Sequence, residues 1–170
     1  MGKLVQVATE TVTSAVGSID FGGAINSDDV YMLAVNGFIP STDAEDFRLR
    51  VTESGTQNST ANYDASYKTM RTDTTFNNGN YTNLTYLDVS TAIGTDTGEQ
   101  FNCIMYIYNA YNSSEYTFFT FENTQLSHTA LLIGNQGGGV FTSSSQVDGL
   151  LLFTTSGNIA SGTFTLYKVV

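Results

Sequence analysis

The side chains that most often carry out chemistry are scarce in this chain. His128 is its one histidine and Cys103 its one cysteine among 170 residues. A serine hydrolase needs an activated serine beside its histidine, and no G-x-S-x-G elbow accompanies His128. A zinc site takes several histidine or cysteine ligands, more than this chain offers. We therefore expect no enzyme, with His128 in a loop or interface and Cys103 as a small buried hydrophobic residue.

Carboxylates are more numerous, and they cluster in predicted loops. Asp28-Asp29, Asp43–Asp46 and Asp96–Glu99 could converge on calcium, but their spacing matches no known calcium loop. A glycosidase acid pair normally works in an aromatic cleft that includes tryptophan, and this chain has none. We expect these acids to be solvated loop residues and predict no cofactor and no metal.

The overall charge narrows the range of partners. Sixteen acidic residues against six basic ones give a formal net charge of −10. Such a chain lacks the cations that neutralise phosphate groups, so we expect neither nucleic acid nor a membrane as a partner. No apolar run approaches the ~18 residues of a membrane span, and no export signal follows Met1. We expect synthesis in a cytoplasm followed by assembly and not by secretion.

Two of the three arginines lie side by side on one predicted strand. In the segment 47–51, Phe47, Leu49 and Val51 point to one face and Arg48 and Arg50 to the other. Two like charges on one face favour acidic partners from a neighbouring strand or another subunit. A solvated pair on an outer face is the alternative. Arg48 and Arg50 are our first interface candidates.

The second candidate surface is an aromatic hairpin spanning residues 101–121. Its tyrosines and phenylalanines are more than one small core face can absorb. The surplus predicts contact with a second copy or a sugar-binding surface, because tyrosine joins apolar area to a polar tip. Of these two interpretations, we favour contact with a second copy. The interface candidates here are Tyr106, Tyr108, Tyr116 and Phe118.

The elements that must position these residues are predicted to be strands. Threonine and aromatic residues suit strands, while asparagine and glycine suit tight turns. We predict an all-β, antiparallel β-sandwich of about ten strands, jelly-roll-like, forming a single domain over residues 1–170. Asn77–Asn80 predicts a turn, and Gly137–Gly139 a flexible connector. Residues 150–153 and 163–167 predict a closing hairpin whose first arm is central.

The closing segment also carries a resemblance to a known family. The run Ser156–Tyr167, together with Ser54-Gly55-Thr56 leading to Asn62-Tyr63-Asp64, resembles small virion structural proteins of tailed phages, especially marine and cyanobacterial ones. The resemblance implies a structural protein without catalytic residues, which serves as a head decoration or in a tail fibre.

The chain's anatomy guides the choice between these roles. A fibre subunit usually carries an attachment domain and a shaft with heptads or β-helical repeats, and the sequence predicts neither. We therefore expect a capsid decoration (cement) protein on the exterior of the virion. Its expected partners are the major capsid protein and two further copies in a trimer on local threefold sites. A tail or neck fibre subunit with a receptor-binding role is the alternative, and a carbohydrate-binding module is the third.

Overall fold

The computed structural model describes residues 2–73 and 76–170, and within these ranges the regular structure is entirely β. Thirteen strands follow one another along the described chain. Their bounds are β1 Leu4–Val12, β2 Ser18–Asp20, β3 Tyr31–Pro40, β4 Phe47–Glu53, β5 Thr56–Gln57, β6 Tyr63–Arg71, β7 Asn77–Leu84, β8 Leu87–Asp88, β9 Phe101–Tyr108, β10 Thr117–Leu126, β11 Leu132–Phe141, β12 Gly149–Thr154 and β13 Ile159–Val169.

These strands form two antiparallel sheets. The large sheet has eight strands in the order β1-β13-β3-β9-β10-β11-β6-β7, and the small sheet has the order β2-β12-β4-β5 with β8 beside β4. The pairing is nested: β1 pairs with β13, β2 with β12, β3 with β9, and β4 with β8. Eight strands wound in this nested way between two sheets form a jelly roll. The predicted antiparallel all-β sandwich is confirmed.

The core lies between the sheets and follows the alternation of the strands. Inward-pointing residues of β9, such as Phe101 and Met105, are fully buried, and Cys103 is buried beside them as predicted. Four phenylalanine rings from both sheets meet at centroid distances of 5.1 to 6.3 Å. Such aromatic pairs contribute about 0.5–1.5 kcal/mol each beyond the area they bury. The rings are those of Phe38, Phe47, Phe101 and Phe164.

Four further strands extend the large sheet beyond the jelly roll. Strands β10, β11, β6 and β7 continue it next to β9, and the segment 85–99 packs beneath them. Buried amides fix this segment: the Asn123 side chain donates to the Val89 carbonyl at 2.6 Å, and Gln125 donates to Thr91 at 2.5 Å. These bonds satisfy polar groups that burial would otherwise penalise. They hold β10 firmly in place.

The predicted closing hairpin is wrong. Strand β12 pairs with β2 and β4 in the small sheet, whereas β13 lies between β1 and β3 in the large sheet. The turn at Gly157, where φ is 72°, carries the chain from one sheet to the other. Both segments alternate as strands do, but their pairing partners come from distant parts of the chain. The central position predicted for residues 150–153 is correct.

Two glycine-rich segments predicted as turn and connector are instead strands. Gly79 lies within β7, and the glycines 137–139 lie within β11. A Cβ atom at Gly79 or Gly137 would come within 2.3 Å of Tyr67, and one at Gly139 within 2.3 Å of the Leu87 side chain. These glycines make room for large side chains that lie flat across the inner face of the sheet. The glycines are visible in the sequence, but the side chains that lie against them come from other strands and could not be predicted from it.

Candidate protein-binding face

The solvent-facing side of the large sheet, called here the outer face, carries the exposed aromatic residues of the predicted hairpin. Strands β9 and β10 pair so that Phe118 lies opposite Tyr108 and Thr120 opposite Tyr106. The Tyr106 and Tyr108 rings are 6.5 Å apart with an interplanar angle of 31°. Phe118 is 45% exposed and Tyr106 is 38% exposed, a large apolar area for one side of a sheet.

Ile104 extends this aromatic row along β9. It is 43% exposed and lies opposite Glu122 on β10. The Glu122 carboxylate accepts a hydrogen bond of 2.6 Å from Gln136 on β11. Apolar and hydrogen-bonding groups therefore alternate across neighbouring strands of this face, as they do in surfaces that bind a partner.

The outer face has two shallow depressions near β11, because outward-pointing positions of this strand are occupied by glycine. Gly134 and Gly138 point outward on β11, opposite Thr124 and Thr120 of β10. A depression of about 520 Å³ passes over Gly138 between Phe118 and the β6–β7 pair. A second, of about 390 Å³, lies among Ile104, Tyr106, Thr120, Glu122 and Gln136. The bare backbone of β11 separates two raised rows of side chains.

The central strands of the outer face, β13, β3, β9, β10 and β11, are almost free of charge, whereas β6 beside them presents Asp64 and Lys68 on the same side. Among the outward-pointing residues of β3, β9, β10, β11 and β13, all of them described, Glu122 is the single charged side chain. The other acids of this −10 chain lie mainly in loops, at strand ends and near the small sheet. A neutral face in an acidic molecule is where a second macromolecule meets the least repulsion.

The Arg48/Arg50 pair lies on the opposite side of the sandwich, on the solvent face of the small sheet. Arg48 forms ion pairs with Asp46 at 3.1 Å and Asp88 at 3.6 Å, and its guanidinium stacks on Tyr86 at 4.2 Å. The acidic partners predicted for the pair are thus present for Arg48, within its own chain. Interactions of this kind fix a side chain that would otherwise be solvated.

Arg50 finds neutral partners instead. It donates to the Thr85 carbonyl at 2.9 Å and to the Gln57 side chain at 2.7 Å, and it stacks on Phe153 at 4.8 Å. No carboxylate pairs with it among the described residues. Both arginines are therefore held within the chain, Arg48 by ion pairs and stacking and Arg50 by hydrogen bonds and stacking, although Arg48 Nε has no hydrogen-bond partner among the described residues.

The carboxyl of Asp88 is electrostatically unusual. Burial raises its pKa to about 7, the nearby Asp46 carboxylate adds to the rise, and Arg48 opposes it. One of its oxygens, Oδ1, is buried without a hydrogen-bond partner among the described residues. Asp88 is thus partly protonated near neutral pH. It lies on β8, beneath Arg48, and has no open cleft in front of it.

Some of the loop acids that were expected to be solvated instead accept hydrogen bonds that hold loops in place. Glu45 is buried and accepts bonds from the backbone and hydroxyl of Ser156, which ties the loop before β4 to the loop after β12. Glu99 is also buried and accepts a bond of 3.0 Å from the Asp96 backbone. Asp148, which lay outside the predicted groups, accepts bonds from Thr52 at 2.6 Å and from the Gly55 backbone at 2.7 Å. Residues 2–73 and 76–170 contain no group of three or more acids, histidines or cysteines that could hold a metal ion.

The six predicted interface residues therefore do not form one site. Tyr106, Tyr108 and Phe118 come together on the outer face, and Tyr116 is 43% exposed in the connection just before β10. Arg48 and Arg50 lie on the far side of the sandwich. Sequence reasoning assigned Ile104 to one face of β9 but missed its place in the surface. The alternation of β9 was the signal that could have included it.

Comparison with known proteins adds no relative: no protein-family model matches this chain, and no curated protein is significantly similar to it. In the part of the chain that the structure describes, no helix is long and apolar enough to cross a membrane.

Proposed function

We propose that this protein is a phage virion structural protein that decorates the capsid exterior. In this proposal it binds the lattice of the major capsid protein through the outer face and stabilises the head. The observation that supports this role is the neutral, aromatic outer face of a chain whose net charge is −10. Exposed Tyr106 and Phe118 are residues of the kind that dominate the energy of protein interfaces.

The jelly-roll fold is compatible with this role but does not decide it. Viral capsid proteins, lectins and cupins all use jelly rolls. A fold is shared by many functions, so the argument rests on the surface and on the resemblance to phage virion proteins. Absence of catalysis and location in the virion belong to the same proposal.

The copy number per virion tests the decoration role against the fibre role. A decoration protein that covers the capsid lattice is present in hundreds of copies, whereas a tail or neck fibre subunit is present in the low tens or fewer. Quantitative mass spectrometry of purified virions, with the major capsid protein as internal standard, measures this ratio. A count in the low tens would overturn the decoration role and favour the fibre.

Substitutions on the outer face test how the protein attaches. Tyr106→Ala and Phe118→Ala remove the two most exposed aromatic rings of β9 and β10 and should lower occupancy on the virion at least tenfold. Val16→Ala is the control, because Val16 is 37% exposed and lies between β1 and β2, away from the outer face. Equal occupancy for all three variants would show that attachment uses another surface.

A carbohydrate-binding module is a second candidate, favoured by one observation. The Tyr106 ring, the hydroxyl of Thr120 and the amide of Gln136 line the 390 Å³ depression, and the Tyr108 ring lies 6.5 Å from that of Tyr106. Aromatic planes next to hydroxyl and amide groups suit a neutral sugar. A glycan array probed with the isolated protein tests it. Binding that is lost in Tyr106→Ala or Tyr116→Ala supports the module, and no binding to any glycan argues against it.

A further inference from the structure

The two free edges of the large sheet differ in chemistry. Strand β1 forms one edge and β7 the other. On β1, Leu4 is 48% exposed, Val5 39% and Val7 37%. Strand β7 is polar and rich in asparagine, with Tyr81 turned inward. A long apolar edge with unpaired backbone groups is a template for another strand, whereas a polar edge discourages pairing.

The unpaired backbone groups of β1 follow from its ladder with β13. Lys3 exchanges two hydrogen bonds with Val170, at 2.7 and 2.9 Å. In an antiparallel ladder, bonded pairs alternate with pairs whose groups point the other way. The register shift between Gln6 and Ala8 interrupts this alternation once. The residues whose N–H and C=O groups then point to the free edge are Leu4, Gln6, Thr9 and Thr11.

This set of free groups is self-complementary. If two copies of β1 run antiparallel about a twofold axis between Val7 and Ala8, Leu4 faces Thr11 of the second copy and Gln6 faces its Thr9. Every free group of one strand then meets a free group of the other. An uninterrupted edge strand could also pair with itself, and the effect of the bulge is to move the twofold axis from a residue to the point between Val7 and Ala8. We propose that β1 pairs in this register with β1 of a second copy of the chain.

Charge complementarity agrees with the same register. Strand β1 and its approach carry one cation, Lys3, and one anion, Glu10, both exposed. In the proposed pair Lys3 lies diagonally across from Glu10 of the second copy, within reach of long side chains. The contact occurs twice, once on each side of the axis. The edge is therefore neutral overall although the chain carries −10.

The pairing would join two large sheets edge to edge and present two outer faces on one side. Such a dimer could hold two neighbouring capsid subunits at once, and avidity would strengthen its attachment. The pair does not depend on that function. Two identical edges that pair antiparallel about a twofold axis form a closed dimer, in contrast to the trimer expected from the sequence.

Sedimentation equilibrium of the isolated protein tests the pairing. We expect a monomer–dimer equilibrium across micromolar to millimolar concentrations. Gln6→Pro removes an edge N–H that the monomer does not use and should raise the dimer dissociation constant roughly tenfold or more, since each copy loses a bond. Gln6→Ala keeps the N–H and should leave the constant unchanged. Thermal unfolding of each variant verifies that the monomer remains folded.

Charge reversal tests the register. Lys3→Glu alone and Glu10→Lys alone place like charges across the axis and should each weaken the dimer by about threefold to tenfold. The double variant Lys3→Glu/Glu10→Lys should restore wild-type association. Asn80→Lys on the β7 edge is the control and should change nothing. A monomer at all concentrations, a trimer, or a dimer insensitive to these changes at β1 would overturn the proposal.

Discussion

The two solvent faces of the sandwich carry similar residue types but use them differently. On the small sheet, Arg48 and Arg50 stack on Tyr86 and Phe153, and the two rings lie edge to face 6.2 Å apart. On the outer face of the large sheet, Phe118 and Tyr106 have no cation above them and remain exposed. One face is covered by interactions within the chain, and the other is available to a partner.

This difference shows that an unusual residue pattern can be compensated by contacts within the chain. The Arg-x-Arg pattern predicted acidic partners, because two like charges on one face repel each other. The chain supplies that compensation itself, through Asp46 and Asp88 for Arg48 and through neutral groups for Arg50. The surplus of aromatic residues predicted contact with a partner in the same way. Two of these rings, those of Tyr106 and Phe118, remain exposed in the folded chain. Substitutions on the small sheet should therefore cost stability, and those on the outer face should cost binding.

Among substitutions of residues on the two solvent faces, the largest effect on stability is expected from Arg48→Ala. It leaves Asp46 and Asp88 together without their cation and should lower the free energy of unfolding by about 2–3 kcal/mol at neutral pH. Urea denaturation measures this loss. Arg50→Ala is the control: its partners are neutral, so the loss should be about 1 kcal/mol. Equal losses for the two variants would mean that the acids do not depend on Arg48.

A smaller effect, with a distinct pH dependence, is expected from Asp88→Asn. The pKa of Asp88 is raised from 3.8 to about 7, so its contribution to stability is complete below pH 3.8 and is lost as the pH rises through about 7. Asparagine resembles the protonated acid. The free energy of unfolding of the variant should therefore equal that of the wild type at about pH 4 and exceed it by about 1–2 kcal/mol at about pH 8.

The control for this pH dependence is Asp73→Asn, which should behave in the opposite way. A hydrogen bond from Arg71 lowers the pKa of Asp73, so its charged form stabilises the fold above its ordinary pKa of 3.8 and the benefit is lost as the pH falls. Asp73→Asn should thus be less stable than the wild type at neutral pH, though only slightly for an exposed pair. Thermal unfolding across the pH range compares the three proteins. An Asp88→Asn profile parallel to that of the wild type would contradict the raised pKa.

The smallest effect on stability is expected from Phe118→Ala. The ring is 45% exposed on the outer face and fills no cavity, so the free energy of unfolding should change by less than about 0.5 kcal/mol. Urea denaturation beside Phe119→Ala gives the contrast, because Phe119 is the buried neighbour on β10 and its loss should cost about 3–5 kcal/mol. A large loss for Phe118→Ala would show that its ring supports the fold and is not reserved for a partner.

Much of the fold was predictable from local pattern. The alternation of residues 47–51 predicted a strand with Phe47, Leu49 and Val51 on one face, and the burial of these three residues confirms it. The candidate site was predictable only in part: Tyr106, Tyr108 and Phe118 share a face because strand alternation is local. Their neighbours across β11 and the partners of Arg48 and Arg50 come from segments distant in the chain, and no local pattern reports such neighbours.

The sequence by itself determined that the chain is all-β, which segments alternate, and that it carries more aromatic residues than one core face can hold. Only the tertiary structure decided which strands pair. Nested jelly-roll pairing sends β12 and β13 to different sheets, and it makes β1 and β7 the free edges. It also places Gly79 and Gly137 against Tyr67, where a Cβ atom would not fit, inside strands that the sequence pattern presents as breaks. The physical reason is that periodicity depends on adjacent residues, whereas pairing and cover depend on contacts between residues far apart in the chain.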